Sequence, residues 1–131
     1  MLFLNHVGTD GGLEHFSEPQ KNFLYNQWLE MEVNNGGIDQ FFYNSSGELA
    51  HKRVESLKAI EALETASLLQ EGIDRWPDGR VPKEMKERRD TSLRINPEGG
   101  LFADLDKRFS VYEEDRNQLN LEYIRKNHDA F

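Results

Sequence analysis

Glu32, Asn34, Asn35, Gln40 and Tyr43 set a carboxylate, three side-chain amides and a phenol along one short stretch of the chain. With Gly36-Gly37 among them, such groups could line a polar pocket in which the amides hold a small ligand beside a buried carboxylate. The same residue types have a structural use. Asparagine and glycine accept left-handed backbone angles at little cost, and the amides can satisfy orphan groups at helix ends. We weigh the structural use more heavily. Asn34, Asn35, Gly36, Gly37, Gln40, Phe41 and Phe42 then serve the architecture, with local capping by Asn34 and Asn35. A ligand site or enzyme centre at the Asn34–Gly37 turn, drawing on Glu32 and Tyr43, is the alternative.

Other chemistry finds no pattern. His6, His15, His51 and His128 are scattered without the close spacing of a metal pair. Gly36-Gly37 and Gly99-Gly100 lack the Lys-Ser/Thr or the third glycine of a phosphate loop. The sequence has no cysteine, so thiol nucleophiles, thiolate metal sites and disulfides are excluded. Asp74, Asp78 and Gly79 resemble a calcium loop only faintly, and Met85 stands where the bidentate glutamate belongs. No catalytic residue, metal site or cofactor is expected.

The elements that must position these residues are helical, because no stretch alternates at period two. Ser17-Glu18-Pro19-Gln20 has the form of a capping box with proline in the first turn. It opens a first helix over about 18–34, with Leu24, Trp28 and Met31 on its inner stripe, Gln20 and Gln27 on the same side, and Phe23 and Val33 at its margins. Asn34-Asn35-Gly36-Gly37 ends it. A second helix over about 37–44 buries Ile38, Phe41 and Phe42, with Tyr43 on the flank. A box at Ser45-x-x-Glu48 opens a third, long helix over about 47–73, carrying Val54, Leu57, Ile60, Leu63, Leu69 and Ile73 inward. Its first half carries Glu48–Lys52 and Glu55–Lys58 pairs, whereas Glu61, Glu64, Glu71 and Asp74 have no base within residues 59–74.

Further helices are expected over about 82–95 (Met85, Leu93, Ile95), 100–109 (Leu101, Phe102, Leu105, Phe109) and 111–127 (Tyr112, Leu119, Tyr123, Ile124), the last opened by a box at Ser110-x-x-Glu113. The result is an all-α single domain of about six helices over 17–131 behind an irregular N-terminal arm over 1–16.

Charge narrows the partners. The 131 residues carry −8, with 37% hydrophobic, 11% aromatic and 31% charged residues. This composition belongs to a globular rather than a disordered chain. Residues 1–50 hold seven acids against one base, so most of the negative charge lies there. Such a balance disfavours direct nucleic-acid binding and suits a basic protein. Residues 80–94 run the other way, with six bases against three acids. That basic helix could touch phosphate, but pairing with the acidic face is the reading we prefer. No apolar run reaches the ~20 residues of a membrane span, so a cytoplasmic protein without membrane contact is expected.

Glu32-Val33-Asn34-Asn35-Gly36-Gly37, Gln40-Phe41-Phe42 and Asn44-Ser45-Ser46-Gly47 resemble a bacterial family of unknown-function domains named after a DNA mimic protein. Leu105-Asp106-Lys107-Arg108-Phe109 and Tyr123-Ile124 also fit, so the similarity spans roughly residues 20–131. Ile38, where the family pattern leads us to expect an aromatic, departs from it. The resemblance implies an all-α fold, no enzymatic activity and an acidic surface that occupies the DNA-binding face of a regulator. Helical carboxylates at i, i+3 or i+4 lie about 5–6 Å apart, a spacing comparable with phosphates along a strand. Glu30, Glu32, Asp39, Glu61, Glu64, Glu71 and Asp74 are therefore the expected partner-binding acids, with Glu113, Glu114 and Asp115 as a second cluster. The expected partner is a basic DNA-binding protein. A homodimer is compatible with the sequence.

Overall fold

The computed structural model describes residues 14–45, 47–111 and 115–131. Six helices make up the fold, and no strand occurs among the described residues. They are α1 (Glu18–Asn44), α2 (Gly47–Ala59), α3 (Leu63–Asp74), α4 (Met85–Ile95), α5 (Ala103–Val111) and α6 (Arg116–Lys126), with single 3-10 turns at Pro77–Gly79 and His128–Ala130. Of the arm expected over 1–16, only residues 14–16 are described, and they form a turn.

α1 starts as its sequence dictates. The Ser17 hydroxyl accepts from the Gln20 N–H, and the Gln20 side chain accepts from the Ser17 N–H. The expected stop at Asn34-Asn35 does not occur. Both asparagines and Gly36 stay helical, and the break is confined to Gly37, at φ 78° and ψ −175°. The two predicted helices are therefore half-helices of one 27-residue element. The buried face of the first half is also turned from the predicted one. Tyr25, Trp28, Leu29 and Val33 are buried, while Leu24 and Met31 pack at the margin and Gln27 is exposed. The turn follows from Arg53, buried on α2, whose guanidinium lies 3.7 Å from the centre of the Tyr25 ring.

The second half of α1 inserts its rings into the core. Phe41 and Phe42 are fully covered, and Phe42 contacts Phe41, Trp76 and Phe102 at ring-centre distances of 5.4, 5.8 and 5.2 Å. Removing a ring so placed typically costs about 3–5 kcal/mol. Gly72 on α3 allows this approach, since a β-carbon there would meet the Phe42 ring at 3.1 Å.

The long helix expected over 47–73 is two helices. Glu61 adopts φ 67°, the left-handed region. The Ala62 N–H bonds to the Leu57 carbonyl at 2.9 Å and the Glu61 N–H to the Lys58 carbonyl at 3.0 Å. This is a Schellman ending with glutamate where glycine is usual. Leu63, placed inside by the continuous-helix pattern, is consequently 62% exposed just past the break.

α4 begins at Met85, three residues later than expected, and exposes Met85 and Leu93. Its buried residues are Thr91 and Arg88, and Arg88 donates to the carbonyls of Tyr43, Pro82 and Lys83. Phe102, in the turn before α5, and Leu105 and Phe109 on it are buried near the predicted positions, but α5 runs on to Val111. Ser110 thus lies within α5 and bonds back to the Asp106 carbonyl. Asp115 caps α6 instead, accepting from the Gln118 N–H at 3.0 Å. Ser46 and Tyr112, Glu113 and Glu114 lie outside the described residues, as does the side chain of Glu48. The expected boxes at Ser45-x-x-Glu48 and Ser110-x-x-Glu113 cannot be assembled from the rest; Ser45 itself closes α1, its N–H on the Phe42 carbonyl.

Candidate functional site

The glycine stretch is a closed hinge. Glu32 is 8% exposed, and its Oε2 accepts from Gln40 Nε2 and Asn44 Nδ2, each at 2.9 Å. One carboxylate thus ties the first half of α1 to two turns of the second. Gly36 makes room for this bond: a β-carbon there would stand 2.0 Å from Gln40 Oε1. Gly37 makes room for another. A β-carbon there would stand 2.9 Å from Asp106 Oδ2, while Asp106 Oδ1 accepts from the Ile38 N–H at 2.7 Å. Asp106 therefore caps the reopened helix from α5, a carboxylate at the positive end of a helix dipole.

Asp39 joins the same corner. Its Oδ1 accepts from Asn96 Nδ2 at 2.7 Å, and Asn96 Oδ1 takes the Leu101 N–H at 2.9 Å. Burial, and then the neighbouring Asp106 charge, hold the Asp39 carboxyl above its ordinary range despite the Asn96 bond. Asn34 and Asn35 take no part. They are exposed, and their side chains form no hydrogen bond among the described residues, so the capping expected of them is absent. The Tyr43 hydroxyl accepts from Arg89 Nε at 3.0 Å, toward α4. The groups that could have lined a ligand site thus face different surroundings, with Glu32 Oε2 already engaged by Gln40 and Asn44.

The predicted acids divide by location. Glu32 and Asp39 belong to the hinge, not to an open acidic surface. Glu30 is bound by Arg116, whose guanidinium also lies 3.8 Å from the centre of the Phe109 ring. Glu61, Glu64, Glu71 and Asp74 lie along the outer edge of α3 and its leading turn. α3 contains no lysine or arginine. Partners reach some of these acids from other elements. Lys126 lies 3.7 Å from Glu61, and Arg75 and Arg108 lie 3.3 and 2.9 Å from Glu71.

Asp104, which sequence reasoning did not assign to this face, completes the group. Arg75 grips both its oxygens at 2.7 and 2.8 Å. That bond holds the Asp104 carboxyl down at about 2, and Arg108 chiefly holds Glu71 low. Neither partner of Glu71 was drawn from the sequence: Arg75 stands one residue past the 59–74 window at i, i+4, and Arg108 arrives from α5. Glu64 and Asp74 are exposed, and Asp74 accepts from Gln70 Nε2 at 3.0 Å. They stand ten residues apart, or about 15 Å along the axis. Among the described residues no helix is long and apolar enough to cross a membrane, and no cluster of three or more acids or histidines could hold a metal ion.

Searches of curated proteins and of solved structures each returned no match. A family model does match, described as DMP19-like protein, over residues 14–127. The matched span takes in the glycine hinge, the Asp106 cap and every acid of the α3 edge. By that extent of similarity, the chain belongs to the DMP19-like protein family.

Proposed function

We propose that this chain is a non-enzymatic protein-binding domain whose acidic α3 edge occupies the DNA-binding surface of a basic partner, such as a transcriptional regulator. The edge consists of Glu61, Glu64, Glu71 and Asp74, with Asp104 alongside. The observation that carries this reading is the absence of any base from α3 while Glu64 and Asp74 face solvent ten residues apart. Exposed ion pairs such as Glu61–Lys126 are worth at most about 1 kcal/mol, so an incoming arginine or lysine can replace the internal partner. The net charge of −8 adds long-range attraction that speeds encounter with a basic surface. Glu30, Glu32 and Asp39 contribute to that net charge but not to the contact.

The test is affinity capture from the native host at low salt, comparing the natural chain with a Glu64→Lys/Asp74→Lys variant. Capture of a DNA-binding protein by the natural chain alone is expected. Salt and duplex DNA should both release it, because exposed charge contacts are screened. Recovery of no basic protein, or equal recovery by the variant, refutes the proposal.

A further inference from the structure

We propose that a second site, built on the loop that follows α3, binds a phosphorylated small molecule of the sugar-phosphate class. It is a cleft of about 460 Å³ between the first half of α2, the loop after α3 and α4. That volume lies within the range of small-ligand sites, roughly 300–1,000 Å³. His51, Asp78, Arg80, Lys83, Glu87 and Arg94 supply its polar lining.

The cations are the first reason. Arg80, Lys83 and Arg94 form no ion pair and no side-chain hydrogen bond among the described residues. Most other cations do: Lys58, Arg75, Arg108, Arg116 and Lys126 each hold a carboxylate. Among the described residues only Lys107 and Arg125 share the unpaired condition, and neither lines this cleft. In a chain of −8, three unpaired cations around one concavity is the reverse of what mutual neutralisation would give. The preference for internal pairing of the 80–94 segment, drawn from sequence, therefore fails at these three residues.

The walls are the second reason, since the cations stand on a fixed frame. Asp78 (φ 58°, ψ 19°) and Gly79 (φ 64°) form a tight turn closed by the Arg80 N–H on the Pro77 carbonyl at 3.2 Å. Trp76 and Val81, 3% and 4% exposed, anchor the loop in the core on either side. Arg88, 4% exposed, clamps the Pro82 and Lys83 carbonyls at 3.2 and 2.7 Å. Asp78 is held at positive φ, a region that non-glycine residues seldom occupy, and the anchors on either side fix the turn from which Arg80 projects.

Guanidinium groups match phosphate oxygens in a fork that a lone ammonium lacks, which favours a phosphate over a simple carboxylate. Asp78 and Glu87 line the same cleft without pairing to these cations. They can accept hydrogen bonds from hydroxyl groups, and they would repel the extended backbone of a nucleic acid. A compact phosphate carrying hydroxyls satisfies both sets of groups.

The experiment is a titration followed by amide NMR, using glucose 6-phosphate, ribose 5-phosphate, inorganic phosphate, glucose and a short DNA duplex as separate probes. Saturable shifts at Arg80, Lys83 and Thr91 are expected with a sugar phosphate, weaker ones with inorganic phosphate and none with glucose. Both arginines are exposed, so Arg80→Gln/Arg94→Gln should leave the melting temperature unchanged. It should weaken sugar-phosphate binding about tenfold or more, since each lost bond is charge-assisted. Failure of both sugar phosphates to saturate, binding unaffected by the double variant, or tighter binding of the duplex overturns the proposal.

Discussion

Replacing Gly37 by alanine tests whether the hinge is set by a carboxylate packed on a bare backbone. Two costs add. The conformation at φ 78°, ψ −175° is essentially reserved for glycine, and forcing another residue into it costs about 1–3 kcal/mol. The new β-carbon would also stand 2.9 and 3.0 Å from the two Asp106 oxygens, so that carboxylate must withdraw from the Ile38 N–H it holds at 2.7 Å. A charge-assisted bond of this kind is worth about 1.5–3 kcal/mol. Alanine recovers about 0.4–1 kcal/mol through the stiffer unfolded chain. The net loss is then about 3 kcal/mol, a large part of the 5–15 kcal/mol typical of a domain.

Gly99→Ala is the control. Its φ of 76° is also positive, but nothing lies within 4 Å of the added carbon. It should lose about 1 kcal/mol, from backbone strain alone. Urea unfolding at neutral pH, with unchanged denaturant slope, measures both. A double-mutant cycle of Gly37→Ala with Asp106→Ala should show coupling above about 1 kcal/mol. If Gly37→Ala costs no more than Gly99→Ala, or the cycle is additive, the Asp106 contact does not set the hinge.

Other consequences follow from the same contacts. Glu32→Ala, which strips two amides of a shared acceptor, should cost about 3 kcal/mol in urea unfolding, and Glu32→Gln about half that, because a neutral oxygen accepts more weakly. Glu61→Gly should be neutral or stabilise by up to about 1 kcal/mol, since glycine enters the left-handed region freely; Glu61→Val should destabilise. The raised Asp39 carboxyl means that the folded state holds its proton more tightly than the unfolded state. Stability should therefore fall as pH climbs from 3.8 through the folded value, and Asp39→Asn should remove that fall and stabilise the protein at neutral pH. Asp104 has the opposite sign: its contribution is present above 3.8 and is lost as pH drops toward about 2, so Asp104→Asn should flatten that acid limb in pH-resolved unfolding.

How far the fold could be read from sequence depended on whether a local signal carried it. The Ser17–Gln20 box and the inward rings of Phe41 and Phe42 were legible because each rests on residues a turn apart. The break at Glu61 was not. A left-handed position filled by glutamate leaves no mark in the pattern, and Ile60, Ala62 and Ala66 continue a plausible apolar stripe across it. On α1, two stripes share Trp28. The choice between Leu24 and Tyr25 depended on Arg53, which lies on another helix and stacks its guanidinium on the phenol ring.

The acids were harder for the same reason, and the difficulty bears on what net charge means here. Spacing along one helix shows only partners on that helix. It therefore counted Glu32 among the surface acids, although Gln40 and Asn44 enclose it from beyond the break. It also left Glu71 without a base, although Arg108 reaches it from α5. A carboxylate closed in a hinge still counts toward −8, but its hydrogen bonds are spent on architecture rather than offered to a partner. A formal charge thus measures long-range attraction, while contact depends on which carboxylates remain exposed. For the α3 edge that distinction gives unequal weights: Asp74, whose Oδ1 takes the neutral Gln70 amide, should weigh most in binding, Glu61 and Glu71 should matter once their cations are displaced, and Glu30 should matter to stability alone.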